Sequence, residues 1–497
     1  MCRIAAAPGF NGARPVRQSR RERWGSVPCG RACRCGGAPG FNGASGVRQS
    51  AAGGGRRGGQ GRGRGGVAGV SGAEVGEAVV AHRTYAWPVG DHIDTSGNEA
   101  HKLRTRLVGG LRTSGVLRSE SVETAMLAVP RHRFIPEAPL RTAYADDVYV
   151  TKRNSDGDAV SSASQPSIVA EMLEQLDVRP GHRVLEIGAG TGYNAALLDA
   201  LVGPEGGVTT VDIDADAVAR ARSALDDVGC ERVQAVQGDG ELGWPGGAPY
   251  DRVIATVGTW DLPPAWWDQL ADGGRLVAPL SIRGCEHSVA FDYRGGVMRS
   301  RSIVSCGFMP MRGLGSHEGH TVELASGRIL TFHVDEEVEA AGAENALDGR
   351  GSTVWTSVRL KVNEDANQLS LWLACAFPGY GRMSAPFGDH GLQRLLMRWA
   401  NPAVVEGSDF AYVVCRKVPG GNEIGVRGHG PDGAALAARV AAQANLWDRE
   451  CRDGVSLQIA AYRDGGPPED AAGVRFTVPK RHTRLAIRVA PVSGALG

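Results

Sequence analysis

The chain predicts an α/β fold over residues 98–319, with a doubly wound (Rossmann-like) parallel sheet at its centre. Three observations predict it. The segment VLEIGAGTGYNAALL (184–198) runs an apolar strand into a glycine-rich turn and then into a helix-like stretch. Two further apolar strands, 208–211 and 233–236, are each followed by an acid, Asp212 and Asp239. YDRVIAT (250–256) and GGRLVAPL (from Gly273) then add strands after intervening helix-like stretches. Alternation of this kind sets strands parallel and gathers ligand-binding groups at their carboxyl ends.

Each element carries chemistry. Gly188, Gly190 and Gly192 let the backbone approach a ligand where a Cβ would clash. The spacing departs from G-x-G-x-x-G, and Glu186 stands on the strand just before the glycines. This combination resembles the first motif of S-adenosylmethionine-dependent methyltransferases. A carboxylate at Asp212 suits both hydroxyls of a ribose. Asp239, in Gly238-Asp239-Gly240, suits the amino group of adenine. Any one of these acids alone reads equally well as a helix N-cap. Their order, each after an apolar strand, favours the ligand reading.

The surrounding segments narrow the resemblance. VPRHRFIP (129–136), AYADD (143–147), SASQPSIVAEMLEQLDVRPGHRVLEIG (162–188), the run from GDGELGWPGG to GGRLVAPL (238–280) and FMPMRG (308–313) are similar to the protein-L-isoaspartate O-methyltransferase family. The resemblance spans roughly residues 98–315. It implies an active-site serine at Ser164 and cofactor contacts at Glu186, Gly188, Gly190, Asp212, Asp239 and Gly240. The cofactor implied is S-adenosyl-L-methionine. One stretch departs from the family: TKRNSDGDAVSSAS (151–164) is longer and polar where a compact glycine-rich turn is usual. It is expected to be a loop bordering the substrate carboxylate. Ser164 also reads as an N-cap for a helix starting at Pro166 or Ser167.

The chemistry implied asks little of the protein. A carboxylate is already anionic at neutral pH, so no general base is required. Positioning and exclusion of water supply the rate, and the Ser164 hydroxyl would orient the carboxylate oxygen. The backbone nitrogen of the next residue then attacks the methyl ester and expels methanol, leaving a succinimide.

Residues 320–497 are expected to form an α+β domain with a mostly antiparallel sheet. Strand-like runs are RILTFHV (328–334), VWTSVRLKV (354–362), LSLWLACAF (369–377), FAYVVCRKV (410–418) and TRLAIRV (483–489). Helix-like runs are HGLQRLLMRWA (390–400) and DGAALAARVAAQANLWDRE (432–450). No catalytic motif appears there, and His429 and His482 lack metal-ligand spacing. This extension, the long 151–164 segment and the KRHTRLAI run (480–487) resemble the subgroup that serves lanthipeptide-type, ribosomally made modified peptides. The partner implied is a peptide or protein bearing Asp or isoaspartate, in that subgroup a precursor peptide, recognised by the extension. Removing the residues after Gly319 would then abolish peptide methylation and spare cofactor binding. The alternatives are a general repair enzyme for isoaspartate in damaged proteins, and a non-catalytic cofactor-binding module. The intact glycine turn and acids speak against the last.

Residues 1–97 differ in kind. Residues 1–65 hold 13 arginines and one acid, Glu22, with glycine dominant. Such a segment cannot bury a core and is expected to be disordered. It repeats APGFNGARPVRQS (7–19) as APGFNGASGVRQS (38–50). An RNA-binding arginine-glycine tail is one reading. The composition favours the other, GC-rich repeated DNA translated from too far upstream. Cys29, Cys33 and Cys35 lack a C-x2-C pair, so no metal is expected. Formal net charge is +1 over 497 residues, with an acidic remainder behind the basic tail, which argues against a nucleic-acid-binding core. No apolar run approaches a membrane span or a signal peptide, and the scattered cysteines suit a reducing cytoplasm.

Overall fold

The computed structural model describes residues 95–317, 319–323, 331–334, 347, 349–362, 364–384, 394–397, 400–452, 455–463 and 473–491. Of the tail expected to be disordered, residues 1–94 lie outside the described residues, whereas 95–97 belong to the first helix.

The chain enters through α1 (Thr95–Thr113), α2 (Glu120–Ala128) and α3 (Leu140–Ala143). Ser119 caps α2 by accepting the Val122 N–H on its hydroxyl. A hairpin follows, β1 (Tyr149–Arg153) and β2 (Ala159–Ala163), then α4 (Pro166–Leu176). The alternation expected from the sequence comes next: β3 (Arg183–Ile187), α5 (Tyr193–Val202), β4 (Gly207–Asp212), α6 (Ala215–Asp227), β5 (Gln234–Gln237), β6 (Tyr250–Ala255), α7 (Pro264–Gln269), β7 (Leu270–Ile282), β8 (Cys285–Arg294) and β9 (Val297–Ser305). β3 sits in the middle, parallel to both β4 and β6. β5 pairs parallel with β4, and β7 with β6. The chain winds outward from β3 in both directions, so the carboxyl end of β3 is a topological switch point. Burial on both faces explains the apolar run of this strand: Val184, Leu185 and Ile187 are at most 2% exposed.

After β9 the chain forms β10 (His320–Glu323), β11 (Thr331–Val334), β12 (Ser352–Lys361), α8 (Asn367–Ala376), β13 (Tyr380–Ser384), β14 (Asn401–Glu406), β15 (Asp409–Val418), β16 (Gly421–His429), α9 (Gly433–Glu450), β17 (Val455–Arg463), β18 (Val474–Pro479) and β19 (Thr483–Pro491). β10 to β16 make a seven-stranded antiparallel sheet in the order β10-β11-β13-β14-β15-β16-β12. The last three strands go elsewhere. β17 pairs antiparallel with β9, and β19 and β18 follow it outward. The large sheet thus reads β18-β19-β17-β9-β8-β7-β6-β3-β4-β5, half parallel and half antiparallel. Residues after 320 are shared between two sheets, and one apolar core runs through both. Leu185, Leu280, Phe291, Trp372, Val404, Val426, Leu436 and Ile487 all belong to it.

Two local expectations fail. LSLWLACAF is a helix, α8, where a strand was expected. An apolar run of this length fits a buried strand or a buried helix equally well. Helix is chosen because every residue from Leu369 to Cys375 is buried between other elements, and the Trp372 indole N–H reaches Gln443 Oε1 on α9 at 3.0 Å. HGLQRLLMRWA is not helical where it is described: Leu395 bridges Val414, and the Cys415 N–H donates to the Arg394 carbonyl at 2.8 Å. Pairing with β15 overrides the helical pattern there. Residues 390–393, 398 and 399 of that run lie outside the described residues.

Among the described residues no helix is long and apolar enough to cross a membrane. The six cysteines from Cys230 to Cys451 are free thiols.

Candidate active site

The glycine turn forms at the carboxyl end of β3. Gly188, Gly190 and Gly192 have φ of +102°, +52° and +85°, a region that L side chains rarely adopt. At Gly188 the neighbours impose a second demand. A Cβ there would lie 2.7 Å from Thr256 Oγ1 and 2.9 Å from Val257 Cγ1. Thr256, just past β6, donates its hydroxyl to the Gly188 carbonyl at 2.7 Å and so holds the turn against the neighbouring strand end.

Of the expected acids, Asp212 bonds this turn, Glu186 bonds the helix after it, and Asp239 closes a separate turn past β5. Glu186 is 1% exposed, and its Oε1 accepts from Asn194 Nδ2 at 2.8 Å, in the first turn of α5. Its Oε2 is buried with no partner among the described residues. Burial pushes this carboxyl up to about 7. Asp212 Oδ2 accepts the Gly190 N–H at 3.0 Å, and Oδ1 accepts the Asp214 N–H at 3.0 Å. Asp239 takes the Glu241 N–H at 3.0 Å on one oxygen and the Leu314 N–H at 2.8 Å on the other. Both Asp212 and Asp239 therefore brace backbone turns, as N-caps do. Gly240 packs closely, since a Cβ there would meet Ile187 Cγ2 at 2.5 Å.

The raised carboxyl has a consequence for stability. In the unfolded chain Glu186 ionises near its ordinary 4.5; in the fold it holds its proton to about 7. Its contribution to stability is thus full below the unfolded value and falls as pH rises between the two. The loss above pH 7 is on the order of 3 kcal/mol. Glu186→Gln should flatten this slope. Urea unfolding of the cofactor-free protein should show the variant gaining on wild type between pH 5 and pH 8. An equal offset at both pH values would contradict the assignment.

Segment 151–164, expected to be a loop, is the β1–β2 hairpin. Its turn is closed by Asn154, whose Oδ1 accepts from the Asp156 and Asp158 N–H groups at 3.0 and 2.8 Å. Lys152 Nζ donates to Asp214 Oδ2 at 2.7 Å and Asp216 Oδ2 at 2.9 Å. That clamp seats the hairpin at the start of α6, two residues past Asp212. The Ser162 carbonyl lies 3.7 Å from where a Gly190 Cβ would be, so the hairpin leans over the glycine turn.

Ser164 follows β2 directly. It does not cap α4. Gln165 holds the cap position without a side-chain bond, and Asp146 Oδ1 accepts the Ser167 N–H at 2.8 Å. The Ser164 carbonyl is held by Arg131 at 2.8 Å, and its hydroxyl makes no hydrogen bond among the described residues. Arg131 is 2% exposed, also donates to the Ala143 carbonyl at 3.0 Å, and lies 5.0 Å from the Tyr193 ring centroid. Sequence reasoning did not reach this arginine, Asn194, Lys152 or Thr256 as site residues. Only Arg131 left a signal, a charge within the apolar, proline-bounded VPRHRFIP.

The rim of the site is apolar. Ile213, Leu242 and Leu314 are large side chains left 36%, 55% and 59% exposed. They lie beside Asp212, just past Asp239, and on the segment bonded to Asp239. Arg312 Nη2 stands 3.9 Å from Asp212 Oδ1. A glycine turn, two strand-end acids, an orphaned buried acceptor on Glu186 and an apolar rim together fit a nucleoside cofactor.

Comparison with known proteins gives the same answer. The family profile described as Protein-L-isoaspartate(D-aspartate) O-methyltransferase (PCMT) matches residues 102–315. The Protein-L-isoaspartate O-methyltransferase of Methanopyrus kandleri is 41% identical over 214 residues, 43% of this chain and 92% of the relative. The chain belongs to the protein-L-isoaspartate O-methyltransferase family. The enzyme of that name from Hyperthermus butylicus is 38% identical over 221 residues, 43% of this chain and 89% of the relative. A solved structure of a protein-L-isoaspartate O-methyltransferase covers 72% of this chain and 96% of its own, at 21% identity and a TM-score of 0.42. As a member of this family the protein is an S-adenosylmethionine-dependent carboxyl O-methyltransferase. Its cofactor is S-adenosyl-L-methionine, and residues 102–315 carry the Rossmann-like methyltransferase fold.

Proposed function

We propose that the protein methylates the side-chain carboxylate of an aspartyl or isoaspartyl residue in a peptide, and that its own substrate is a ribosomally made, modified precursor peptide. The observation that carries the finer reading is the pair of additions around the site. One is the long polar hairpin clamped over the glycine turn by Lys152. The other is the large extension beyond residue 315, where the family match stops.

When bound, S-adenosylmethionine supplies a methyl group on a sulfonium. Glu186, Gly188, Gly190, Asp212, Asp239 and Gly240 are the residues assigned to hold it. The substrate carboxylate is the nucleophile, so the chain abstracts no proton. Its work is to align one carboxylate oxygen and to exclude water. Ser164 is assigned to the first task, its backbone fixed by buried Arg131 and its hydroxyl left uncommitted. The hairpin is assigned to the second. The methyl ester then loses methanol as the next backbone nitrogen attacks, giving a succinimide, which persists or opens to isoaspartate.

A hydrogen bond to a charged group contributes about 1.5–3 kcal/mol. Ser164→Ala should therefore lower kcat by roughly tenfold to hundredfold and leave the Kd for S-adenosylmethionine unchanged. An unaltered kcat would restrict Ser164 to its backbone role.

A second reading is general repair of isoaspartate in damaged proteins. It is favoured by the relatives, which carry the name Protein-L-isoaspartate O-methyltransferase at about 40% identity. Mass spectrometry separates the two. The enzyme is incubated with S-adenosylmethionine and either an isoaspartyl model peptide or a lanthipeptide-type modified precursor bearing Asp in its core. A gain of one methyl, or loss of one water after ester collapse, on the precursor alone supports peptide tailoring. Methylation of the isoaspartyl peptide alone supports repair.

A further inference from the structure

Arg131 stands in one tight turn, Arg131–Arg133, between α2 and α3. It is buried, and it pairs with no carboxylate among the described residues. Its hydrogen bonds go to backbone carbonyls of two separate segments. Nε donates to Ala143 at 3.0 Å, at the end of α3. Nη2 donates to Ser164 at 2.8 Å and to Ala163 at 3.4 Å, where β2 ends. The exposed Asp146 is engaged elsewhere in the same neighbourhood. Its Oδ1 accepts the Ser167 N–H at 2.8 Å, and its Oδ2 accepts from Gln165 Nε2 at 3.3 Å.

The same guanidinium reaches the cofactor side of the site. It lies 5.0 Å from the Tyr193 ring centroid. Tyr193 opens α5 directly after Gly192, the last glycine of the turn. Phe134, three residues past Arg131, packs edge-on against that ring at 5.6 Å between centroids. One side chain thus joins the backbone of Ser164 to the helix that carries the glycine turn. Burying an ion without a counter-charge costs stability, so holding the fold together does not by itself explain a charge here. What a guanidinium adds is a rigid planar fork. It sets its acceptors at fixed angles, as a flexible ammonium does not.

We infer that Arg131 is a positioning residue for methyl transfer, which sets Ser164 at a fixed distance from the glycine turn so that the substrate carboxylate oxygen lines up with the cofactor methyl. The inference rests on the assignment of Ser164 to the substrate carboxylate above. Arg131 touches neither substrate nor cofactor and acts through Ser164. In a reaction that needs no general base, alignment is the main thing the chain supplies, and a misplacement of about 1 Å costs up to about a hundredfold in rate. A purely structural arginine would affect every property of the protein together. A positioning arginine affects turnover, and only while the Ser164 hydroxyl is there to be positioned.

The test is a double-mutant cycle in the full-length enzyme: wild type, Arg131→Lys, Ser164→Ala and the double variant. Each is assayed with S-adenosylmethionine on whichever peptide the wild type methylates, the isoaspartyl model or the modified precursor. Arg131→Lys should lower kcat by about tenfold and leave the peptide KM and the cofactor Kd within about threefold. In the Ser164→Ala background the same change should alter kcat by less than about twofold, because the group being positioned is gone. An equal loss of kcat in both backgrounds would overturn the inference. So would an unaltered kcat in Arg131→Lys, or a cofactor affinity that falls in step with kcat. Thermal melting is followed for every variant. If Arg131→Lys does not melt cooperatively, Arg131→Gln, which buries no charge, takes its place in the cycle. Failure of both to fold would assign Arg131 to the fold and overturn the inference. A wild type that methylates neither peptide fails the substrate reading, and the inference with it, before any variant is compared.

Discussion

A chain ended at Gly319 should fail to give a folded, cofactor-binding protein. This reverses what a separable extension would predict, and the reason lies in the sheet. β9 would lose its hydrogen-bonded neighbour β17, along with the Ile459 N–H donated to Ser300 Oγ at 2.8 Å. Arg283, 3% exposed, would lose the Ala374 carbonyl that it bonds at 2.7 Å. The cut would also divide one apolar core. Ile282, Phe291 and Met298 remain on the retained side, while Leu369, Trp372 and Ile487 are removed. Each buried side chain of this size contributes about 1.5–3 kcal/mol. Losing several exceeds the roughly 5–15 kcal/mol that holds a typical domain together. The expected result is aggregation, or a fragment without cooperative melting and without heat on titration with S-adenosylmethionine. A monodisperse fragment with the affinity of the full chain would show that the extension is only an appendage.

Gly188→Ala should abolish cofactor binding in a protein that still folds. The backbone there has φ of +102°, and the added Cβ would lie 2.7 Å from Thr256 Oγ1 and 2.9 Å from Val257 Cγ1. Strain of this kind amounts to about 1–3 kcal/mol, and relief requires the turn to move away from the end of β6. That movement disrupts the Thr256 bond to the Gly188 carbonyl and the Asp212 bond to the Gly190 N–H. A rise in Kd of at least about a hundredfold, roughly 2.7 kcal/mol, is expected by calorimetry. Gly181→Ala is the control. It has φ of +84° but open space around the missing Cβ, so it should strain the fold slightly and leave the Kd within about threefold. Near-normal binding by Gly188→Ala would mean that the turn does not approach the cofactor.

Much of the site was legible because its signals are local. Strand, glycine turn and helix follow one another within 184–198, and the strand-end acids stand beside the strands that place them. Short-range order of that kind survives folding: Asp212 bonds the glycine turn, Glu186 bonds the helix that follows it, and Asp239 closes its own turn past β5. The N-cap alternative also left its mark. Asp239 caps the turn that follows it, whereas Ser164 caps nothing. What was not legible depends on partners far away in the chain. Arg131 holds Ser164 across 33 positions, Lys152 holds Asp214 across 62, and Asp261 holds Thr483 across 222.

The sequence by itself determined the parallel half of the sheet, the glycine turn, the order of its acids and the family to which they belong. For the strands, the turn and the acids the reason is periodicity or spacing within a few residues; the family rests on the resemblance of motifs spread over residues 129–313. Only the tertiary structure decided that LSLWLACAF is a helix, because burial on all sides, not propensity, settles a wholly apolar run. It alone placed β17 against β9 and the 480–483 turn against Asp261. Edge-strand pairing is chosen by whichever unsatisfied edge lies within reach once the core has formed, and no local pattern in a strand names its neighbour.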